Sequence, residues 1–244
     1  MKSYFHAFAM CQSMFCAIPS PFRVWDEEAR PKMLLFLPVV GLEIGLFWWG
    51  ISALAAVLNL PALVRGLVIA LWPFVSTGYL HLDGYMDVTD AVKSCRSLER
   101  RREILKDSHV GAFAVINVVI LMLTQFAFAA SAEGDWRILI FIPVVSRCGS
   151  ALAVTLLPPM STSQYASQNI NRNHAVVLGL MLTCAVGAGF LLCGISGFAL
   201  VSGILGYLMA LRKGYKSLEG MNGDISGYAL TISELCSLAV YGII

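Results

Sequence analysis

From Met33 to Leu58 the chain carries a single ionisable side chain, Glu43, and runs of the same character recur along its whole length. They cover approximately 62–80, 111–131, 136–157, 175–193 and 197–211, with a shorter one at 227–244. A helix needs about 20 mostly apolar residues to cross the hydrocarbon of a bilayer. The runs therefore predict an all-α, polytopic integral membrane bundle of six or seven transmembrane helices. Composition agrees: 58% of the 244 residues are hydrophobic and 13% charged, more apolar surface than a soluble globule of this size can bury. The same figures exclude a disordered chain, a collagen and a disulfide scaffold. Segment 4–18 is apolar but short and holds His6 and Gln12, so it reads as an interfacial or re-entrant helix.

The seven cysteines lie mostly in apolar runs, with no CxxC pair and no metal-ligand spacing to histidine, and read as small hydrophobes. No cleavage site of small residues follows the N-terminal apolar stretch, so a removable signal peptide is not expected. No internal repeat breaks the chain, which reads as one membrane-embedded domain over 1–244.

Lysine and arginine placement predicts the orientation. With the N-terminus in the cytoplasm, the inner segments hold Lys2, Arg23, Arg30 and Lys32; Lys93, Arg96, Arg100, Arg101, Arg102 and Lys106; Arg172; and Arg212, Lys213 and Lys216. Only Arg65 and Arg137 fall outside and Arg147 within a span, as the positive-inside rule requires. Loop 81–110, the most polar, then faces the cytoplasm and is where chemistry is expected.

That loop opens on His81-Leu-Asp83-Gly84-Tyr-Met-Asp87-Val-Thr-Asp90. In a helix, Asp83, Asp87 and Asp90 share one face, where three like charges repel unless a cation offsets them. Hard oxygen ligands suit Mg²⁺, which is commonly held by one or two carboxylates together with substrate phosphates. Lys93, Arg96, Arg101 and Lys106 follow directly. An acidic face beside phosphate-binding cations is the arrangement phosphoryl or nucleotidyl transfer needs, although the basic run also anchors the loop inside. In Lys106-Asp107-Ser108-His109, Asp107 or Ser108 caps the next helix, or Asp107 and His109 accept a proton or add ligands; the sequence leaves both readings open.

Two more sites lie elsewhere. Arg147 sits inside a span, where a charge is costly; it marks a functional site or an internal salt bridge with Glu43 or Glu234. The turn Glu219-Gly-Met-Asn222-Gly-Asp224-Ile-Ser-Gly227 offers backbone amides to a phosphate and Asp224 to a metal or hydroxyl, or else Asp224 simply caps the last helix.

The motif His81-x-Asp83-Gly84-x-x-Asp87-x-x-Asp90, followed by Arg100-Arg101-x-x-x-x-Lys106-Asp107-Ser108-x-x-Gly111 and Asn222-Gly223-Asp224-x-x-Gly227, resembles the cobalamin synthase (adenosylcobinamide-GDP ribazoletransferase) family. The likeness extends to Ile18-Pro19-x-Pro21 and Leu37-Pro38-x-x-Gly41-x-x-x-Gly45 and so covers nearly the whole chain. It departs at Gly78-Tyr79 and Glu219-Gly220, where the family usually has paired glycines; both changes bear on loop geometry and leave the acidic residues in place.

The resemblance implies a multi-pass enzyme of a bacterial or archaeal inner membrane with its active site facing the cytoplasm. It joins adenosylcobinamide-GDP to α-ribazole or its 5′-phosphate, releases GMP and requires Mg²⁺. On that reading Asp83, Asp87, Asp90 and Asp224 are metal ligands, and His81, Asp107 or His109 takes the hydroxyl proton. Lys93, Arg96, Arg101, Lys106, Ser108, Arg147 and Asn222 bind substrate, and loop 158–174, with Ser161, Gln164, Gln168, Asn169 and Asn171, is a candidate corrinoid contact. A homo-oligomer, or association with other cobalamin-assembly enzymes, is left open, and no nucleic-acid partner is expected. A CDP-alcohol phosphotransferase also sets aspartates at helical spacing, but its Ala-Arg after Asp-Gly is missing after Gly84. A transporter would place ionisable residues near the midplane and not along one rim.

Overall fold

A computed structural model describes residues 2–163, 171 and 173–244. Gln164, Gln168, Asn169 and Arg172 lie outside the described residues. The described chain is all-helical, as the apolar runs predict: α1 (Lys2–Phe15), α2 (Leu37–Val57), α3 (Ala62–Val75), α4 (Leu80–Lys93), α5 (Leu98–Ile104), α6 (Ala112–Ser131), α7 (Ile138–Leu156), α8 (His174–Cys193), α9 (Phe198–Leu218) and α10 (Gly223–Tyr241). A 3₁₀ stretch, Arg30–Phe36, leads into α2, and another, Gly194–Gly197, joins α8 to α9.

Among the described residues, four helical stretches are long and apolar enough to cross a membrane, or five if the bent pair α3–α4 counts as one crossing. The fourth runs 45 residues over His174–Leu218. At 1.5 Å per residue it is about 68 Å long, twice a hydrocarbon core of roughly 30 Å. It is the two apolar runs 175–193 and 197–211, folded at the 3₁₀ turn into α8 and α9. Val115, Ile116, Val119, Ile120 and Leu123 are exposed on α6 and give it an apolar outer stripe.

Glycines set how closely the helices approach. A Cβ on Gly41 of α2 would stand 2.9 Å from the Pro143 carbonyl carbon of α7, and one on Gly45 the same distance from the Ile140 Cα. This small-xxx-small pair lets the two backbones meet. Inside α3, Pro73 has no N–H to give the Ile69 carbonyl four residues back. Trp48 Nε1 donates to that carbonyl at 3.0 Å instead, and Gln125 Nε2 donates to the neighbouring Ala70 carbonyl at 2.8 Å. The bend is thus held from two flanking helices, and beyond it α4 leaves at 82° to α3.

The bundle has two unlike ends. The α2–α3 link, loop 132–137, the α8–α9 turn and the end of α10 gather at one, where Tyr241 donates to the Gly134 carbonyl and Arg65 lies over the Trp136 ring. At the other lie the 94–111 arm, loop 157–163 and the 219–222 turn. There Met160 N–H donates to the Met221 carbonyl at 2.8 Å and Met221 N–H to the Pro158 carbonyl at 2.9 Å. α1 tucks beside this second end, with Ala7, Met10 and Cys11 buried, and Gln12 Nε2 reaches Glu43 of α2 at 3.1 Å.

Candidate active site

The site is built where α4 crosses α10, and two glycines permit the crossing. A Cβ on Gly84 would come within 2.9 Å of the Asp224 carbonyl oxygen, and one on Gly227 within 3.2 Å of the His81 carbonyl oxygen. Tyr85 stacks on Tyr228 with ring centroids 5.7 Å apart, and Thr231 Oγ1 donates to the His81 carbonyl at 3.2 Å. The crossing brings the first acidic motif to the last one. Asp87 feels the negative charges of Asp83, Asp224 and Asp90 together.

Asn222, not Asp224, caps α10: its Oδ1 accepts from Ile225 N–H at 3.0 Å, while its Nδ2 donates to Asp224 Oδ2 at 2.7 Å. A residue expected to bind substrate therefore spends both polar atoms of its side chain on the protein, and one of them orients Asp224. The turn before it holds Glu219 at φ 50°, and Tyr79 before α4 sits at φ 65°. These are the two positions at which the chain departs from paired glycines, and its backbone still adopts the left-handed conformation that glycine favours.

Asp90, expected to face the metal with Asp83 and Asp87, is used differently. Its Oδ2 accepts from Gly111 N–H at 2.6 Å and its Oδ1 from Ala114 N–H at 3.0 Å, so it caps α6 from another helix. The cap expected of Asp107 or Ser108 comes from Asp90 instead. Gly111 allows this approach, since a Cβ there would lie 2.7 Å from the Asp90 carboxyl carbon.

Asp83 is exposed, Asp87 and Asp224 are half-buried and Asp90 is buried. Among the described residues no three His, Cys, Asp or Glu side chains are gathered closely enough to hold a metal by themselves. That donor set of one or two carboxylates per cation fits a divalent ion completed by substrate phosphates and water, not a closed protein cage.

The basic arm follows α4 in the chain. Lys93, Arg96, Arg101 and Lys106 take part in none of the ion pairs among the described residues, and Lys93, Arg96 and Lys106 are exposed. Arg102, which no motif singled out from its neighbours, donates through Nε to the Leu218 carbonyl at 3.0 Å and through Nη2 to the Glu219 carbonyl at 2.8 Å. It ties the basic arm to the turn that precedes Asp224. Of the remaining loop candidates, Asp107 Oδ1 accepts from the His109 backbone N–H at 3.0 Å and meets its Nδ1 at 2.7 Å, and Ser108 is exposed. Those two contacts hold the Asp107 carboxyl below the usual carboxylate range.

His81 stands in the first turn of α4. It is buried, its ring is parallel to Phe15 of α1 at 6.3 Å, and its Nε2 has no partner. With Asp224 it lines a cavity of about 270 Å³ whose opposite wall is Met14, Phe15, Leu34 and Leu37. The Ser150 and Ser226 hydroxyls, hydrogen-bonded to each other, also line it. Arg147 is fully buried in α7 and pairs with Glu234 of α10 at 2.8 Å, with Ser146 Oγ donating to the same oxygen at 2.9 Å. Of the two partners considered it takes Glu234, while Glu43 accepts from Gln12.

Comparison with known proteins agrees over the whole chain. A family model described as cobalamin-5-phosphate synthase matches residues 7–242. An adenosylcobinamide-GDP ribazoletransferase of Clostridium perfringens (strain 13 / Type A) is 36% identical over 253 residues, covering 100% of both chains. Proteins of the same name from Clostridium botulinum (strain Alaska E43 / Type E3) and Brevibacillus brevis are each 34% identical over 98% of this chain and 97% of theirs. No solved structure matches it significantly. With its acidic motifs in family order and the match running through every helix that builds the site, the chain belongs to the cobalamin-5-phosphate synthase family.

Proposed function

We propose that the chain is an adenosylcobinamide-GDP ribazoletransferase, joining adenosylcobinamide-GDP to α-ribazole 5′-phosphate or α-ribazole and releasing GMP. The observation that carries this reading is the α4–α10 crossing, which brings Asp224 to the Asp83 and Asp87 face of α4 at the end of the bundle that also carries the basic arm. The shared name of full-length relatives supports the substrate.

In the reaction the ribazole 3′-hydroxyl oxygen attacks the phosphorus next to cobinamide, the bond from that phosphorus to the oxygen of GMP breaks, and the hydroxyl proton leaves. Asp83 and Asp87 would hold Mg²⁺ together with substrate phosphates, and the ion would supply charge neutralisation there. Lys93, Arg96, Arg101 and Lys106 bind phosphate oxygens and keep the leaving GMP from carrying unshielded charge. Asp224, oriented by Asn222, accepts the hydroxyl proton, and Asp107 and His109 order the arm in front of α6. Because Lys93, Arg96, Arg100–Arg102 and Lys106 lie at the end opposite Arg65 and Arg137, the positive-inside rule supports a site facing the cytoplasm.

The test is GMP release and corrinoid product formation by protein in nanodiscs, with and without EDTA. Chelation abolishes product, and Asp87→Asn lowers turnover by about 10³-fold or more while the protein still inserts. Wild-type turnover by Asp87→Asn at saturating Mg²⁺ sinks the metal assignment; no product, with a CDP-activated lipid consumed instead, sinks the reaction.

A further inference from the structure

From Ile138 to Leu218 the sequence holds no aspartate or glutamate, although Arg147, Arg172, Arg212, Lys213 and Lys216 fall in that stretch. Arg147 is neutralised from outside it, by Glu234. Arg212, Lys213 and Lys216 are exposed near the end of α9 and take part in none of the ion pairs among the described residues. The helices α7, α8 and α9 thus present cations with no acid of their own.

The same three helices leave a groove between them. α8 packs chiefly on α7 and α9 chiefly on α10, so α8 and α9 separate and α7 forms the floor. The space, about 290 Å³, is lined by Leu152 and Leu156 of α7, Leu182 of α8, and Ile204, Leu208 and Leu211 of α9. Among the described lining residues only Tyr207 has a polar atom in its side chain. Its ring lies on Gly149 of α7, where a Cβ would come within 3.1 Å of Tyr207 Cδ1, and its hydroxyl lies beside Ser226 of α10. Leu156 and Leu208 are about half exposed, so the groove opens to the surroundings of the bundle, which at this depth are lipid. Ile204, Leu208 and Leu211 stand at i, i+4 and i+7 on one face of α9, and the next positions of that face are Arg212 and Tyr215. From Ile204 to Leu211 is about 10 Å, two-thirds of one leaflet of a roughly 30 Å core.

We infer that this groove holds one acyl chain of an anionic phospholipid whose phosphate lies at Arg212. Apolar wall and cation follow one another along a single helix face, in the order of an acyl chain and its head group. Basic pockets between spanning helices are where anionic head groups bind, and tyrosine suits the level at which they lie. A zwitterionic lipid fills the groove as well but brings its own cation to the phosphate, so Arg212 gains less from it. The inference stands independently of the transferase reading, because no part of the groove belongs to the α4–α10 site.

The experiment is native mass spectrometry of the full chain in detergent, titrated with phosphatidylglycerol or with phosphatidylcholine, counting the lipid molecules retained. Wild type takes up its first phosphatidylglycerol about fivefold or more tightly than its first phosphatidylcholine. Arg212→Gln brings that preference to within twofold of unity. Leu208→Trp, at a half-exposed position, fills the groove and weakens the first molecule of either lipid at least fivefold. Lys213→Gln, on another face of α9, and Val119→Trp, on the outer stripe of α6, leave both affinities within twofold of wild type. Equal affinity of wild type for the two lipids overturns the inference, as does a preference that survives Arg212→Gln. Loss of the preference in Lys213→Gln to the same degree as in Arg212→Gln also overturns it, since the lipid then reads only diffuse surface charge. A dimer that Leu208→Trp dissociates, without any lipid preference, gives the groove to a second copy of the chain and overturns it too. If Leu208→Trp fails to fold, the contrast between Arg212→Gln and Lys213→Gln decides.

Discussion

Replacing Asp90 by alanine separates the three aspartates of the α4 motif, because the structure gives this one a different task. Its two oxygens take the N–H groups of Gly111 and Ala114 at 2.6 and 3.0 Å, and it is only 9% exposed, so little water can replace them. A lost N-cap costs about 0.5–2 kcal/mol, and a buried N–H left without a partner costs about 1–3 kcal/mol. Two such groups at the start of α6 put the expected loss near 2–4 kcal/mol. The assay is reversible unfolding in mixed micelles, followed by tryptophan fluorescence, with turnover measured well below the transition. Asp90→Ala unfolds earlier, Asp90→Asn keeps part of the loss because it retains one acceptor, and Gly111→Ala behaves like Asp90→Ala by pushing the carboxylate away. Both Asp90 variants keep their Mg²⁺ dependence. Wild-type stability combined with a collapse of turnover that high Mg²⁺ rescues would make Asp90 a metal ligand and refute the capping argument.

Gly84→Ala places a methyl 2.9 Å from the Asp224 carbonyl oxygen and pushes α4 off α10; since about 1 Å of misplacement can cost 10²-fold in rate, kcat falls by about that factor while insertion is normal, and near-wild-type kcat would refute the crossing's role. Arg147→Met strands the Glu234 carboxylate in the interior and destabilises by about 3–5 kcal/mol, whereas Arg147→Met with Glu234→Leu recovers most of that in the same unfolding assay. A double variant as unstable as the single one would mean that the pair is not the relevant interaction. Glu219→Gly relieves a left-handed φ of 50° and raises stability by about 1 kcal/mol; a loss would show that the Glu219 side chain holds the turn.

Apolar runs with few charges were enough to give the helices, since a chain in lipid has few other ways to satisfy its backbone. The clustered aspartates and the cations after them were equally readable, because like charges at helical spacing call for an explanation close by. What local spacing does not contain is which carboxylate turns inward. Asp90 and Asp87 stand three residues apart in one motif, and only the packing of α6 against α4 decides that one caps a helix. The role of Arg102 was hidden for the same reason: it acts on groups that the fold brings near, across 116 residues of chain. The glycine of Asp83-Gly84 was the missed signal. A glycine inside a polar helix costs about 1 kcal/mol, and at this position the close passage of α10 accounts for it.

The α4–α10 crossing also governs when the protein becomes an enzyme during its synthesis. The α4 half of the proposed site enters the membrane early, whereas Asn222 and Asp224 arrive with the last described helix, which packs against α4, α6, α7 and α9. Until then Asp83 and Asp87 lack their third carboxylate, the cavity lacks a wall, and Glu234 is absent to neutralise Arg147. An interrupted chain is therefore a membrane protein without activity and with an unpaired buried charge. Assembly ends in one late docking event that completes the proposed site and pairs that charge.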